Sequence, residues 1–505
     1  MTAHDDTVLR ERDRAPHETP THQEPAASAA DRLDPRDRTV IALLLVAGFV
    51  VILNETAMGV ALPVLMTELG VSAATGQWLT TGFMLTMAVV IPATGWVMDR
   101  FRTRQIFVAA MTLFTLGTTI AALAPGFGVL LVGRVVQASG TAVMIPLLMT
   151  TVLNLVPPAI RGRTMGTISI VISVAPAVGP TISGLVLSQL SWRWIFLVML
   201  PFALVALALG VWKVRDVTTP RATRLDVLSL AMSAVGFGAL IYGLSSIGES
   251  ASGHTPVAPW IPIAVGLLAL AAFTQRQLRL QRTTGALLDL RVFADRSYTV
   301  STIVLVISFM AMFGALIVLP IFLQDVLGRG TLQTGLLLLP GGLVMGALSP
   351  LVGRLFDRVG PRPLVTPGAV ALSVALWLLS TLGPDTPAGA VVAVHTLLSI
   401  GLAFMITPLF TSALGSLRRE LYGHGSAIIN TVQQLAGAAG TALFITVLST
   451  TIAARLGAGD DPVTATTQGV QGAFMWGGVV SLVAVAASLL VRRPATVPGE
   501  RVSMH

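Results

Sequence analysis

No cysteine occurs in the 505-residue chain. That excludes disulfides, thiolate metal sites and cysteine nucleophiles. Lysine is almost as scarce, with Lys213 standing alone against 31 arginines. A Walker-type phosphate loop needs Gly-Lys-Ser/Thr, and Val211-Trp212-Lys213 is not that, so no ATP is bound through such a loop. Charge itself is sparse, at 11% of residues where soluble domains carry roughly 25%. What the chain has in excess is apolar side chain, 54% of residues. A soluble protein of this size has no place to hide so much, whereas a lipid-facing one has no need to.

Apolar runs of about 20 residues recur along the chain, each long enough to cross the hydrocarbon of a bilayer. They predict fourteen transmembrane helices, at roughly 40–63, 77–98, 105–124, 128–153, 163–188, 193–212, 226–247, 260–278, 297–325, 332–356, 363–382, 387–414, 424–449 and 470–491. Residues 1–38 are polar and lack the short apolar core of a signal peptide, so they read as a disordered tail. Residues 492–505 form a second polar tail.

Charge orients the spans. Of 32 lysines and arginines, 28 fall in the tails and in the even-numbered connections, three in the opposite connections (Arg193, Arg329, Arg455), and one, Arg134, inside a span. The positive-inside rule places both termini in the cytoplasm. The same distribution explains the net charge of +8 without recourse to nucleic acid. The arginine excess over lysine matches a GC-rich bacterial genome, and the expected location is the bacterial cell (inner) membrane.

One internal repeat is visible. Gly95-Trp96-Val97-Met98-Asp99-Arg100 follows the second span and Gly353-Arg354-Leu355-Phe356-Asp357-Arg358 the tenth, with Gly, Asp and Arg at the same spacing. Duplicated halves are the usual build of secondary transporters. The second copy comes two helices late for halves of six, so two extra helices sit between them. The expected organisation is a 1–38 tail, a six-helix bundle over 39–215, two linker helices over 216–296, a second six-helix bundle over 297–491, and the 492–505 tail.

Few residues at membrane depth carry chemistry. Glu55, in Leu53-Asn54-Glu55-Thr56, is a carboxylate in mid-span, a costly placement that favours a polar interior. It reads as a proton carrier or cation-binding group, against a structural hydrogen bond near a helix end. Arg134 is the one basic residue deep in a span. At 1.5 Å per residue it and Glu55 lie about 9–12 Å from the outer end, a depth at which they could pair across a cavity; the alternative is an arginine bound to backbone carbonyls. Gln137 is one turn from Arg134 on the same face. In the fifth span, Ala175, Gly179 and Ser183 make a small-residue ridge suited to tight packing, and Pro176 and Pro180 remove helix donors. This reads as a hinge or sealed interface, against a plain kink. Met58, Met84, Met87, Met144 and Met149 suit an adaptable pocket or lipid-facing and core positions. His395, the one histidine in the interior of a predicted span, either titrates or is hydrogen-bonded and structural. Asp226 reads as a helix N-cap, and Asn430, Gln433 and Gln434 as a polar patch in the thirteenth span. No paired carboxylates, Ser/His pair or metal cluster falls at membrane depth, so an enzyme is not expected.

Taken together these residues resemble the major facilitator superfamily, in its fourteen-helix drug:proton antiporter branch of EmrB/QacA type. The resemblance covers about residues 40–491. Leu53, Thr56 and Val60-Ala61-Leu62-Pro63 look like the first-helix signature L-D-x-T…V-A-L-P. Gly95, Asp99, Arg100 and Arg104 look like the loop motif of the superfamily, with Gly353, Asp357, Arg358, Gly360 and Arg362 as its second-half copy. Arg134, Gln137 and Gly140 match the fourth-helix motif. Gly166, Gly179, Pro180 and Gly184 look like the antiporter motif of the fifth helix, and Trp192-Arg193-Trp194-Ile195-Phe196 is typical of the branch. There are departures. The signature acid would fall at Asn54, and the acid here is Glu55, as in lincomycin-resistance-type relatives. Arg102 and Thr103 replace a usual Gly and a usual basic residue, and Ala175 and Ser183 replace glycines.

The resemblance implies an all-α membrane protein of major facilitator fold, two six-helix bundles rocking about a central cavity, with no covalent chemistry. It implies a proton-coupled antiporter exporting drugs or other small, cationic or amphipathic molecules, with Glu55, Asn54, Arg134 and Gln137 coupling proton to substrate. The Asp99 and Asp357 loops would be conformational latches, and Pro176, Gly179, Pro180 and Gly184 the antiporter motif. The expected driving force is a proton gradient, without cofactor, metal or ATP. The rival readings are a dedicated exporter of one endogenous metabolite, siderophore or lipid, and a non-transporting membrane sensor.

Overall fold

Helices account for every regular element among the described residues. The structure, a computed structural model, describes residues 34–71, 73–157, 160–217, 220, 226–250, 257–282 and 286–491. Most of both predicted tails lies outside them.

The first bundle begins with α1 (Pro35–Leu69), α2 (Ala73–Val90) and α3 (Thr94–Arg100), the last two joined through a 3-10 turn at Ile91–Ala93 into one crossing. It continues with α4 (Thr103–Ala122), α5 (Phe127–Leu155), α6 (Arg161–Gln189) and α7 (Arg193–Lys213). The linker pair is α8 (Val227–Ser250) and α9 (Trp260–Leu280). The second bundle is α10 (Arg296–Ile321, running into a π turn at Phe322–Val326), α11 (Thr331–Val359), α12 (Arg362–Leu379), α13 (Ala388–Gly415), α14 (Tyr422–Gly457) and α15 (Pro462–Ser488). Among the described residues, 13 crossings are long and apolar enough to span a membrane. The 29-residue α6 is also long enough to cross the hydrocarbon.

Caps mark where the chain leaves lipid, since helix-end donors have no partner there. Asp34 accepts from the Arg36 amide at 2.8 Å, and Pro35 supplies a preset first turn. Gly70 ends α1 at φ 63, a left-handed geometry that suits glycine. Asp295 caps α10 at the Tyr298 amide, and Asp461 caps α15 at Val463 and Thr464. Asp226 caps α8 at Ser229, as expected, and is also ion-paired with Arg276 of α9 at 2.9 Å. The hydrogen bond from Arg276 holds the Asp226 carboxyl down at about 2. Gln277 continues this network, donating to Ser229 Oγ and accepting from the Leu287 and Leu288 amides. The two linker helices are thus tied to each other and to the strap leading into α10.

Within the first bundle α1 packs on α5, α6 and α7, and α4 on α5 and α7; within the second, α10 packs on α13, α14 and α15, and α12 on α13 and α15. The bundles meet chiefly along α6–α11, with α14 reaching α3 and α5. The linker helix α8 lies against both α2 and α14. There Trp78 stacks on Tyr242 at 6.1 Å, and Ala88, Ile241 and Ala438 share an apolar cluster.

Candidate functional site

Arg134 is 1% exposed, and its hydrogen bonds explain how the bundle tolerates it. Nη1 donates to Gln137 Oε1 at 2.6 Å and to Asn54 Oδ1 at 3.4 Å, and Nε donates to the Leu79 carbonyl at 3.4 Å. The guanidinium lies over the Phe83 ring, 4.0 Å from its centroid, where the negative face of the ring favours a cation. Gln137 Nε2 in turn donates to Thr118 Oγ1 at 2.7 Å, and Thr118 to the Phe114 carbonyl. Four helices (α1, α2, α4, α5) therefore converge on one buried cation.

The expected pairing of Arg134 with Glu55 takes a different form. The oxygen within hydrogen-bonding distance belongs to Asn54, and no ion pair within 4 Å joins Arg134 to Glu55. One step along a helix turns a side chain about 100°. With Asn54 turned to α5, Glu55 is rotated off it. Glu55 is half-buried, feels the charge of Arg134, and makes no hydrogen bond among the described residues. Asn54 Nδ2 is buried without a partner. The site thus has a cation satisfied by neutral groups and, beside it, a carboxylate with free oxygens.

On the other side of α1, the Thr56 hydroxyl is 3.1 Å from the Ile52 carbonyl of its own helix and 3.4 Å from the Ala175 carbonyl of α6. Gly179 lies at this crossing, where a Cβ would run into Thr56 Oγ1. Gly184, by contrast, has open space where a Cβ would stand. The side chains of Pro176 and Pro180 lie outside the described residues. From the second bundle, Gln434 Nε2 reaches Met87 Sδ of α2 at 3.4 Å, while Asn430 bonds back to its own helix.

The two repeated loops occupy the arginine-rich end of the molecule, and each aspartate addresses the opposite bundle. Asp99 Oδ2 is 3.4 Å from His424 Nε2, at the start of α14. Gly95 leaves room for that imidazole: a Cβ would be 2.9 Å from Nδ1. Asp357 Oδ1 accepts the Gly162 amide of α6 at 2.8 Å, and a Cβ on Gly162 would collide with the same carboxylate and with the Gly353 carbonyl. Both carboxylates sit at helix N-termini, where partial positive charge gathers. Arg161 adds a third bridge, its guanidinium 5.8 Å from the Tyr422 ring centroid. Arg100, Arg358 and Arg362 are exposed. Arg104 serves the first bundle internally, its amide donating to Asp216 and its guanidinium to the Val211 carbonyl. His424 and Gly162 escaped the reading of the sequence. The available signal was position, since each opens a helix right after a basic loop.

Among the described residues no cluster of three or more His, Cys, Asp or Glu could hold a metal ion. The helices and this polar core define a multi-pass membrane transport protein. The family model of the Major Facilitator Superfamily matches residues 44–441, and the chain belongs to that family. It is 41% identical over 459 residues to a lincomycin resistance protein LmrB of Listeria monocytogenes, covering 90% of this chain and 96% of the relative. It is 31% identical over 425 residues to a multidrug resistance protein B homolog of Mycobacterium tuberculosis, covering 82% and 77%. The fold is shared with the human organic anion transporter MFSD10 (TM-score 0.64, 15% identity, 90% of this chain and 100% of that one). It is shared too with the proton:xylose symporter XylE (0.61, 15%, 89% and 94%).

Proposed function

We propose that the protein is a proton-coupled antiporter that exports drugs or other small amphipathic molecules from the cytoplasm of a bacterium by alternating access. The observation that carries this reading is the division of labour between Asn54 and Glu55. Arg134 is held by Gln137, Asn54, Leu79 and Phe83, all neutral, so it needs no carboxylate to stay buried. Glu55 is left without a hydrogen-bonding partner in the field of that cation. A proton and a cationic or polar group of the substrate then compete for the same oxygens. Loading a proton from outside displaces the substrate outward, and loading substrate from inside displaces the proton inward. One proton entering releases about 1.4 kcal/mol per pH unit, and a net charge adds about 2.3 kcal/mol per 100 mV. The cycle needs no ATP and no cofactor.

The resistance proteins named among its relatives support a drug as cargo. The arginine-rich end is the cytoplasmic one, by the positive-inside rule. The crossed contacts there, Asp99 with α14 and Asp357 with α6, act as latches that hold the cytoplasmic gap shut until the bundles rock.

The test is uptake of ethidium into proteoliposomes under an imposed pH gradient, wild type beside Glu55→Gln. Uptake that needs the gradient and is lost in the variant is the expected result. Equal transport by both proteins would move the coupling site away from Glu55. A folded wild type that leaves the dye untouched would make one endogenous metabolite the better cargo.

A further inference from the structure

The two bundles repeat one another at several matching positions around the buried site. Gly95 and Gly353 of the loop motif each stand twenty-third from the start of α2 and α11 respectively. Gly140 and Gly401 are each the fourteenth residue of α5 and α13. Each presses against its neighbour's backbone, Gly140 on α4 at Ala110 and Gly401 on α12 at Gly368 and Leu372. In this register Arg134, the eighth residue of α5, has as its counterpart His395, the eighth of α13.

Their surroundings correspond as well. Arg134 donates to the carbonyl of Leu79, the seventh residue of α2, and the imidazole of His395 faces the carbonyl of Leu338, the eighth of α11. The eleventh residue of α2 is Phe83, whose ring lies under the guanidinium. The eleventh residue of α11 is Gly341, and a Cβ there would stand 2.6 Å from His395 Cδ2 and 2.7 Å from Nε2. An aromatic face serves the fixed cation, and its replacement by glycine makes room for an imidazole. Helix α10 carries no aspartate or glutamate between Arg296 and Ile321, so it sets no carboxylate opposite His395.

The remaining neighbours leave the imidazole without a charged partner. Ser399 turns its hydroxyl to the His395 carbonyl. The charged residues of the packed helices are at their ends: Arg161 and Arg163 on α6, Arg296 on α10 with Asp325 in its π turn, Arg354, Asp357 and Arg358 on α11, Arg362 on α12, and His424 and Arg455 on α14. His395 is half-buried, and its Nδ1 is shielded with no hydrogen-bonding partner among the described residues. Imidazole is the side chain that gains and loses a proton near neutral pH, and a free ring nitrogen is the atom that would take it.

We propose that His395 is a second proton site of the transport cycle, the second bundle's counterpart of the Glu55–Arg134 site, so that each cycle moves one proton more than Glu55 carries. Nδ1 accepts a proton from water as substrate leaves the outward-open cavity, and gives it up to cytoplasmic water when the next substrate binds. The inference rests on the proton-antiport reading above.

Its test is thermodynamic. Purified protein in liposomes, with the membrane potential clamped to zero, is given a fixed pH gradient and opposed by ethidium gradients of increasing size until net dye flux vanishes. Each coupled proton multiplies the balancing dye ratio by about ten per pH unit. At a difference of one unit, wild type is expected to balance near a hundredfold ratio and His395→Gln near tenfold. The same ratio in both proteins overturns the proposal, because a merely structural histidine alters rate and not the balance point. A wild-type ratio that ignores the pH gradient overturns antiport itself and this inference with it. Should His395→Gln fail to fold, Glu55→Gln with His395 intact decides the matter. Ethidium binding to that protein in detergent is expected still to displace a proton, read with a pH indicator. Binding with no proton release between about pH 5 and 8 overturns the proposal.

Discussion

Replacing Asp357 with asparagine tests the crossed contacts at the arginine-rich end, the cytoplasmic one in the proposed topology. The substitution keeps the shape and a neutral acceptor but removes the charge that faces the N-terminus of α6, where Gly162 donates at 2.8 Å. A hydrogen bond to a charged group contributes about 1.5–3 kcal/mol and a neutral one about 0.5–1.5. A carboxylate at a helix N-terminus adds about 0.3–1 kcal/mol. The net loss is then about 2 kcal/mol, a shift of roughly 30-fold in the ratio of open to closed cytoplasmic gaps. Asp99→Asn removes a longer contact, 3.4 Å to His424, and its expected shift is only about threefold, for a loss of roughly 0.7 kcal/mol. The absence of native cysteine lets spin labels be placed without a preparatory cysteine-free background. Cysteines introduced at Arg102 and Arg418, both exposed and one on each bundle, report the gap by electron-electron distance measurement. The reasoning is refuted if Asp357→Asn leaves the open share within twofold of wild type, or if Asp99→Asn opens the gap more than Asp357→Asn does.

Other outcomes follow from the same geometry. Arg134→Lys keeps the charge but cannot meet Gln137, Asn54 and Leu79 together while lying flat on Phe83. An unmet buried acceptor costs about 1–3 kcal/mol, so gradient-driven dye uptake is expected to fall roughly tenfold or more; uptake at the wild-type rate would show that charge alone suffices. Gly179→Ala drives a methyl group into Thr56 Oγ1 and is expected to destabilise by about 1–3 kcal/mol. Gly184→Ala, with open space around it, should leave the melting temperature unchanged or slightly raised. Asp226 is held at about 2, chiefly by the hydrogen bond from Arg276, below its unfolded value of about 3.9. Its contribution to stability is therefore complete above about pH 4 and disappears as pH falls toward 2. Hydrogen exchange at the start of α8 and the end of α9 should rise across that window, and the rise should be absent in Arg276→Gln.

Much of the fold is legible in the sequence because lipid enforces it. A crossing must be helical and about 20 apolar residues long, so the fourteen predicted spans fall on the observed helices. The misjudged ends lie outside the apolar runs: α1 begins at Pro35 and continues to Leu69, five residues before and six beyond the expected limits, and α14 continues to Gly457, eight beyond its expected end. The site is legible only where contacts are local. Gln137 is one turn from Arg134, and their bond follows from spacing alone. Which of Asn54 and Glu55 meets Arg134 depends on how α1 is rotated against α5. That helix is apolar on nearly every face, so its pattern does not set a rotation. The partners of Asp99 and Asp357 come from α14 and α6, far away in sequence, and no spacing rule reaches them.

Under the proposed antiport, the rotation of α1 bears on how proton and substrate are coupled. A carboxylate at position 54 would stand where the Asn54 amide now accepts from Arg134 at 3.4 Å. Ion-paired there, it would be available to a proton or a substrate only after leaving the cation. With the amide in that place, Arg134 is satisfied without Glu55, and under the proposed cycle Glu55 binds and releases without breaking the network that holds four helices together. Asn54→Asp is therefore expected to act against transport even though it restores the acid of the family signature. The added carboxylate competes with Glu55 for the field of Arg134 and ties the arginine to one partner. The measurement is ethidium uptake as a function of the imposed pH gradient. A rate at or above wild type at every gradient would show that the acid works equally well at either position and that the neutral anchor is without effect.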